Sequence, residues 1–182
     1  MRVTGGLYRG RKISCPPGVI RPAMDRMRES MFSILGSQEG KTWLDLFSGS
    51  GSIGIEAASR GAALIHLVEK DRGKKNTIVE NISFVEAPIK LFLSDVFRFL
   101  LQVKIPYDVV YADPPFPLEE KVRLLEAVAT QNVLNAGGLF IIHYPVEEKE
   151  QWPERCGDLI FIDERAYGRS TLRFYQKEEE HA

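Results

Sequence analysis

Three observations predict an α/β fold with a mostly parallel sheet, helices on both faces and a hairpin added at the edge. Strand-like and helix-like stretches alternate from residue 42 to residue 143, an acid stands at or just past the end of four strands, and the chain closes with two extended runs across a short turn. Alternation of this kind implies crossovers, and each crossover lays a helix on the sheet. With 182 residues the chain suits one domain with a small appendage and is long enough to bury a core.

Arg2–Thr4 and Arg11–Ser14 flank Gly5-Gly6 and Arg9-Gly10, which predicts a small hairpin or a flexible basic arm over residues 1–20. Cys15-Pro16-Pro17-Gly18 ends it. Met24, Met27, Met31, Ile34 and Leu35 recur at helical spacing, so residues 24–35 form an amphipathic helix with Arg26, Arg28 and Glu29 on other faces. Strands follow at 42–47, 64–69, 89–93, 107–112 and 138–143, with helices at 52–60, 72–84, 96–103 and 119–130. Residues 159–164 and 171–176, joined by Arg165–Ser170, read as the antiparallel hairpin. The main domain is therefore expected over residues 21–176, followed by a charged, frayed tail at 177–182.

The net charge of -1 conceals a separation. Arg2, Arg9, Arg11, Lys12, Arg21, Arg26 and Arg28 face a single acid, Asp25, in the first 28 residues, leaving the remainder acidic. A basic arm on an acidic body fits a polyanion binder; a solvated N-terminus carries the same charges. No leader-like or membrane-spanning apolar run is present, which predicts a cytoplasmic protein without a membrane partner. Cys15 and Cys156 have no companions at metal-ligand spacing, so no metal and no disulfide framework are expected.

The turn after the first strand, Asp45-Leu-Phe-Ser-Gly-Ser-Gly-Ser-Ile-Gly54, permits close backbone approach to a ligand ahead of a helix N-terminus. Gly49, Gly51 and Gly54 also satisfy the dinucleotide pattern, so an NAD oxidoreductase has to be weighed. Glu69 ends the second strand, where an acid can accept both hydroxyls of a ribose. Asp95 follows the third, able to receive an adenine amine or to cap a helix. Asp113-Pro114-Pro115-Phe116 follows the fourth. Its prolines remove two backbone N–H groups, so the Asp113 carboxylate and nearby carbonyls only accept hydrogen bonds, and Phe116 adds a flat face. Such a loop suits a planar base with an exocyclic amine. An oxidoreductase would need a hydride-transfer acid or base, for which no persuasive His or Tyr-Lys pair is present.

These residues make the chain similar to class I S-adenosylmethionine-dependent methyltransferases, and more narrowly it resembles the RsmD family, which methylates guanine N2 in bacterial small-subunit ribosomal RNA. The resemblance runs through Gly5-Gly6, Arg9-Gly-Arg-Lys12, Arg21-Pro22, Asp25-Arg26-Met-Arg28-Glu29-Ser-Met-Phe32, Leu44–Gly51, Glu69-Lys-Asp71, Asp113–Phe116 and Tyr167-Gly168. It implies a Rossmann-like sheet of seven strands and S-adenosylmethionine as methyl donor without a metal. Asp45, Ser48, Gly49 and Gly51 would border the methionine part of the donor. Glu69 would hold its ribose, with Lys70 counted in the donor site, and Asp95 and Val96 would face its adenine. Asp113, Pro114, Pro115 and Phe116 would receive the guanine, with Asp113 also bordering the donor. Arg21 to Arg28 would lie over the donor pocket or reach RNA. The implied partner is 16S rRNA, free or in a partly assembled small subunit, acted on by a monomer. Two departures stand out: Ala23 replaces a Thr, and His143-Tyr144-Pro145 stands where many relatives would carry Glu. The alternatives are a DNA adenine or cytosine amino-methyltransferase, for which a target-recognition insertion is missing, and a noncatalytic RNA-binding assembly factor, against which the four acids argue.

Overall fold

Helix α1 (Ala23–Leu35) forms because its apolar residues return every three or four positions, and it turns Met27, Met31 and Phe32 fully inward. The Phe32 ring stacks on Trp43, with centroids 5.2 Å apart. Trp43 opens the buried stretch of β1 (Thr42–Leu46), and its indole N–H is satisfied by Gln38 Oε1 at 2.9 Å. These features come from a computed structural model that describes residues 1–16 and 23–179. Arg21, among the expected RNA contacts, lies outside the described residues.

The described contacts group the chain into two compact units, Met1–Ser94 and Asp95–Ala182. In the first, β1, β2 (Leu64–Glu69) and β3 (Ile89–Leu93) pair in parallel in the order β3-β2-β1. Leu46 pairs with Val68 and Glu69 with Leu93, so the carboxyl ends of all three strands share one edge. Helix α2 (Ser52–Ser59) is buried along its whole length. Gly54 allows this, since a Cβ there would stand 2.3 Å from Leu67 Cδ2 and 2.9 Å from Ile65 Cγ2. The helix expected over 72–84 is divided. Asp71 Oδ1 accepts from the Gly73 N–H at 2.9 Å and tightens Arg72–Lys74 into a 3-10 turn, from which α3 (Lys75–Ile82) continues.

The basic N-terminal segment is a docked hairpin. Arg2 and Lys12 form an antiparallel bridge, and Val3 and Ile13 are buried against Ile55 of α2. Below them Glu56, wholly buried, accepts from the Thr4 N–H and hydroxyl at 2.9 Å each, the Gly5 N–H at 3.1 Å, and Arg28 and Arg60 at 3.0 Å each. Burial, the largest single influence, would raise the Glu56 pKa, but the hydrogen bonds from Thr4, Arg60 and Arg28 together bring it below its ordinary value. Arg28 is 1% exposed and also serves Asp25 at 2.9 Å and the Arg2 carbonyl. The expectation that Arg28 meets RNA is therefore corrected: its guanidinium is consumed inside the fold, neutralising Glu56.

The second unit contains α4 (Val96–Gln102), β4 (Tyr107–Ala112), α5 (Leu118–Thr130), β5 (Leu134–Pro145), β6 (Arg155–Cys156), β7 (Leu159–Tyr167) and β8 (Ser170–Lys177), in the strand order β4-β5-β8-β7-β6. The β4–β5 pair is parallel and the rest antiparallel. Eight strands thus stand among the described residues where seven were expected. The addition is β6, two residues folded back on Leu159 and Ile160 across Gly157, too short to carry a periodic signal. Strand β5 begins four residues before its expected start at Gly138, because it continues through a register shift opposite Tyr107–Val109.

Candidate functional site

In the first unit, the shared edge gathers the turn after β1, Glu69 and Ser94. The turn is fastened to β2 by the Ser48 N–H on the Val68 carbonyl at 2.9 Å, and Ser94 to the same strand by its N–H on the Glu69 carbonyl at 3.1 Å. Within the turn, Ser48 Oγ donates to the Asp45 carbonyl at 2.8 Å and the Gly51 N–H to the Ser48 carbonyl at 2.8 Å. Asp45, 1% exposed, receives the Gly54 N–H at 3.3 Å. Phe47 has φ 61°, an uncommon left-handed conformation for an aromatic residue, which costs on the order of 1 kcal/mol and marks the turn as strained. Nothing in the sequence flags Phe47. Gly49 has φ +61°, and a Cβ there would meet nothing within 4 Å, so the backbone borders open space.

Glu69 ties the turn down. Its Oε1 accepts from the Gly49 N–H and its Oε2 from the Asp71 N–H, both at 2.9 Å, with Lys74 Nζ 3.7 Å from Oε1. Each carboxylate oxygen keeps a further acceptor direction, and two such oxygens match a pair of vicinal hydroxyls. Lys70 is exposed beside it.

In the second unit, Asp95 Oδ1 caps α4 by accepting the Arg98 N–H at 3.1 Å, and Val96 is buried behind it. Parallel pairing of Ala112 with Ile142 sets the next residues, Asp113 and His143, side by side. The ring Nδ1 of His143 is 2.9 Å from Asp113 Oδ1. Pro114 is buried, Pro115 exposed and Phe116 half-buried. Phe97 backs the Phe116 ring, with centroids 6.2 Å apart and planes at 29°, and the Arg123 guanidinium lies 4.6 Å from the Phe97 centroid. Neither Phe97 nor the His143–Asp113 contact is signalled by the sequence, because each partner lies on a separate element.

Among the expected RNA contacts, Arg2, Arg9, Arg11, Lys12 and Arg26 are exposed. Arg2 is braced on the Gly10 carbonyl at 2.9 Å and Arg11 lies 4.5 Å from the Phe84 centroid, so two of the cations are held on the hairpin face. Among the described residues no group of His, Cys, Asp and Glu is placed to hold a metal ion, and no helix is long and apolar enough to cross a membrane.

Residues 1–176 match the family described as conserved hypothetical protein 95. Over 188 residues the chain is 34% identical to Ribosomal RNA small subunit methyltransferase D of Escherichia coli K12, covering 98% of this chain and 90% of that protein. It is 27% identical to the protein of the same name from Haemophilus influenzae, covering 97% and 93%. The solved structure of Escherichia coli yhhF superposes with a TM-score of 0.84 at 31% identity over 99% of each chain. SMU.776, solved in complex with SAH, superposes at 0.69 with 16% identity over 93% of this chain and 52% of that one, a likeness of fold alone.

Proposed function

This chain belongs to the RsmD family, matched as conserved hypothetical protein 95, and on that premise we propose that it methylates the exocyclic N2 amine of a guanine in small-subunit ribosomal RNA with S-adenosylmethionine as donor. The observation that carries the reading is the Asp113 loop. A carboxylate whose next two residues lack N–H groups stands beside a half-buried aromatic ring at the end of a buried strand.

The residues present suit the donor. Open space at Gly49 and the buried Asp45 fit the methionine end, with Ser48 and Gly51 shaping the turn around it. Glu69 accepts the ribose hydroxyls on the acceptor directions its backbone partners leave, and Lys70 borders it. Asp95 and Val96 face the adenine. Bound there, the donor supplies an electrophilic methyl group on a sulfonium.

The amine of guanine is a poor nucleophile because its lone pair is delocalised into the ring. Asp113 and the Pro114 carbonyl accept its two hydrogens, which orients the lone pair for attack, while Phe116, stiffened by Phe97, stacks on the base. The hydrogen bonds also favour the positive charge that grows on the nitrogen as the N–C bond forms and the methyl–sulfur bond breaks, its electron pair staying on sulfur as a neutral thioether before the nitrogen sheds one proton. A base must leave its stack to reach such a loop, which favours an exposed or flipped nucleotide. Arg2, Arg9, Arg11, Lys12 and Arg26 supply phosphate contacts.

The test incubates the protein with labelled methyl donor and either free small-subunit ribosomal RNA or partly assembled subunits, then maps the product. The expected result is N2-methylguanine at one position. Label on a ring nitrogen, a carbon or a ribose, or none in RNA, would overturn the reading.

A further inference from the structure

We propose that His143 is a positioning residue that acts through Asp113: its Nδ1–H holds Oδ1 and leaves Oδ2 as the oxygen for the target amine. The inference rests on the reading of Asp113 as acceptor of that amine. Among the described residues His143 is the only hydrogen-bond partner of Asp113. Pro114 and Pro115 have no N–H with which to hold the carboxylate locally, and Asp113 retains 21% side-chain exposure. Without His143 the carboxylate would rotate about its side-chain torsions in a half-open loop.

The ring itself is over-determined. His143 is 8% exposed on a strand interior, and its Nε2 is buried with no partner among the described residues. A neutral ring with its hydrogen on Nδ1 suits both atoms. The N–H meets a carboxylate, and Nε2 keeps only a lone pair, a less costly group to bury alone than an N–H carrying charge. The charged groups nearest in sequence and register, Glu164 and Arg173, bond to each other and, in the case of Glu164, to Tyr144. Tyr144 follows His143 in the strand and so points to the opposite face.

Single-turnover methyl transfer and donor dissociation constants would be measured for the wild-type protein, His143→Leu, His143→Asn, His143→Gln, Asp113→Asn and the double variant His143→Leu/Asp113→Asn. His143→Leu keeps the ring's bulk and removes the donor, so transfer should fall about tenfold with donor affinity unchanged. Asn can offer its amide hydrogen from near the Nδ1 position and should restore most of the rate, whereas Gln reaches toward Nε2 and should not. In the Asp113→Asn background the His143→Leu change should cost less than about twofold, because the group it acts through is already altered. Wild-type rates for folded His143→Leu, equal rates for the Asn and Gln variants, or the same loss in both backgrounds would each overturn the inference. If His143→Leu does not fold, the Asn–Gln comparison decides. Full transfer by Asp113→Asn would instead bring down the reading of Asp113 itself, and the inference with it.

Discussion

Glu69 and Asp45 in the first unit and Asp113 in the second are held by different means. In the first unit, Glu69 and Asp45 are gripped by main-chain N–H groups: Gly49 and Asp71 on Glu69, Gly54 on Asp45. In the second, Asp95 again accepts a main-chain N–H, from Arg98, but among the described residues Asp113 is held by a side chain from the neighbouring strand, His143. Main-chain donors come with the turn and survive most substitutions, so the first arrangement is robust and recognisable. A side-chain donor is exchangeable, so the second is where one member of a family can differ from another. His143 is the exchangeable donor in this chain.

Breaking the support beneath the first arrangement should have the largest effect. Glu56→Ala removes the buried carboxylate that faces both Arg28 and Arg60 and should lower unfolding free energy by ~3 kcal/mol, read by chemical denaturation. Because the Glu56 pKa is lowered on folding, its contribution is present above the unfolded carboxylate range and is lost as pH falls through the depressed folded value. Wild-type stability should therefore decline on acidification, and the decline should be shallower in Glu56→Gln. Equal slopes would remove Glu56 as the group responsible.

Asp113→Ala comes next. It should reduce single-turnover transfer about a hundredfold, or ~3 kcal/mol, while calorimetry finds donor affinity nearly intact. Near-normal transfer by the folded variant would dissolve the contrast, since the second arrangement would then have no chemistry to perform.

Glu69→Ala should produce the opposite split. Donor affinity weakens by roughly tenfold to thirtyfold, through lost hydroxyl contacts and a loosened Gly49 turn, with the fold retained. Unchanged affinity would count against the ribose assignment.

The smallest effect should come from replacing Arg9, Arg11 and Lys12 together, three exposed cations of the hairpin. RNA affinity should fall and its logarithmic salt slope flatten by about 2 if each meets a phosphate, with donor binding unaffected. An unaltered slope would mean that the hairpin contributes packing through Val3 and Ile13 and no phosphate contacts.

Sequence by itself determined whatever short-range chemistry controls. Strand and helix periods located β2, β3 and β4 to the residue and α1 to within one, because burial on a fixed repeat is written into neighbouring positions. The glycines of the turn, the acids at strand ends and the two prolines after Asp113 were legible for the same reason, and so was the family. Only the tertiary structure decided what depends on partners distant in the chain. It took Arg28 out of the exposed basic set by burying it on Glu56, 28 residues away. It docked the N-terminal hairpin where the sequence left a flexible arm equally open, because Val3 and Ile13 find Ile55 only once α2 is in place. It gave Phe47 its left-handed backbone, and it brought His143 to Asp113 across 30 residues through the register of β4 and β5. A local pattern can state which groups a chain possesses. Whether a charge is spent on a buried neighbour or left for a ligand depends on which distant residue the fold sets within about 3 Å of it.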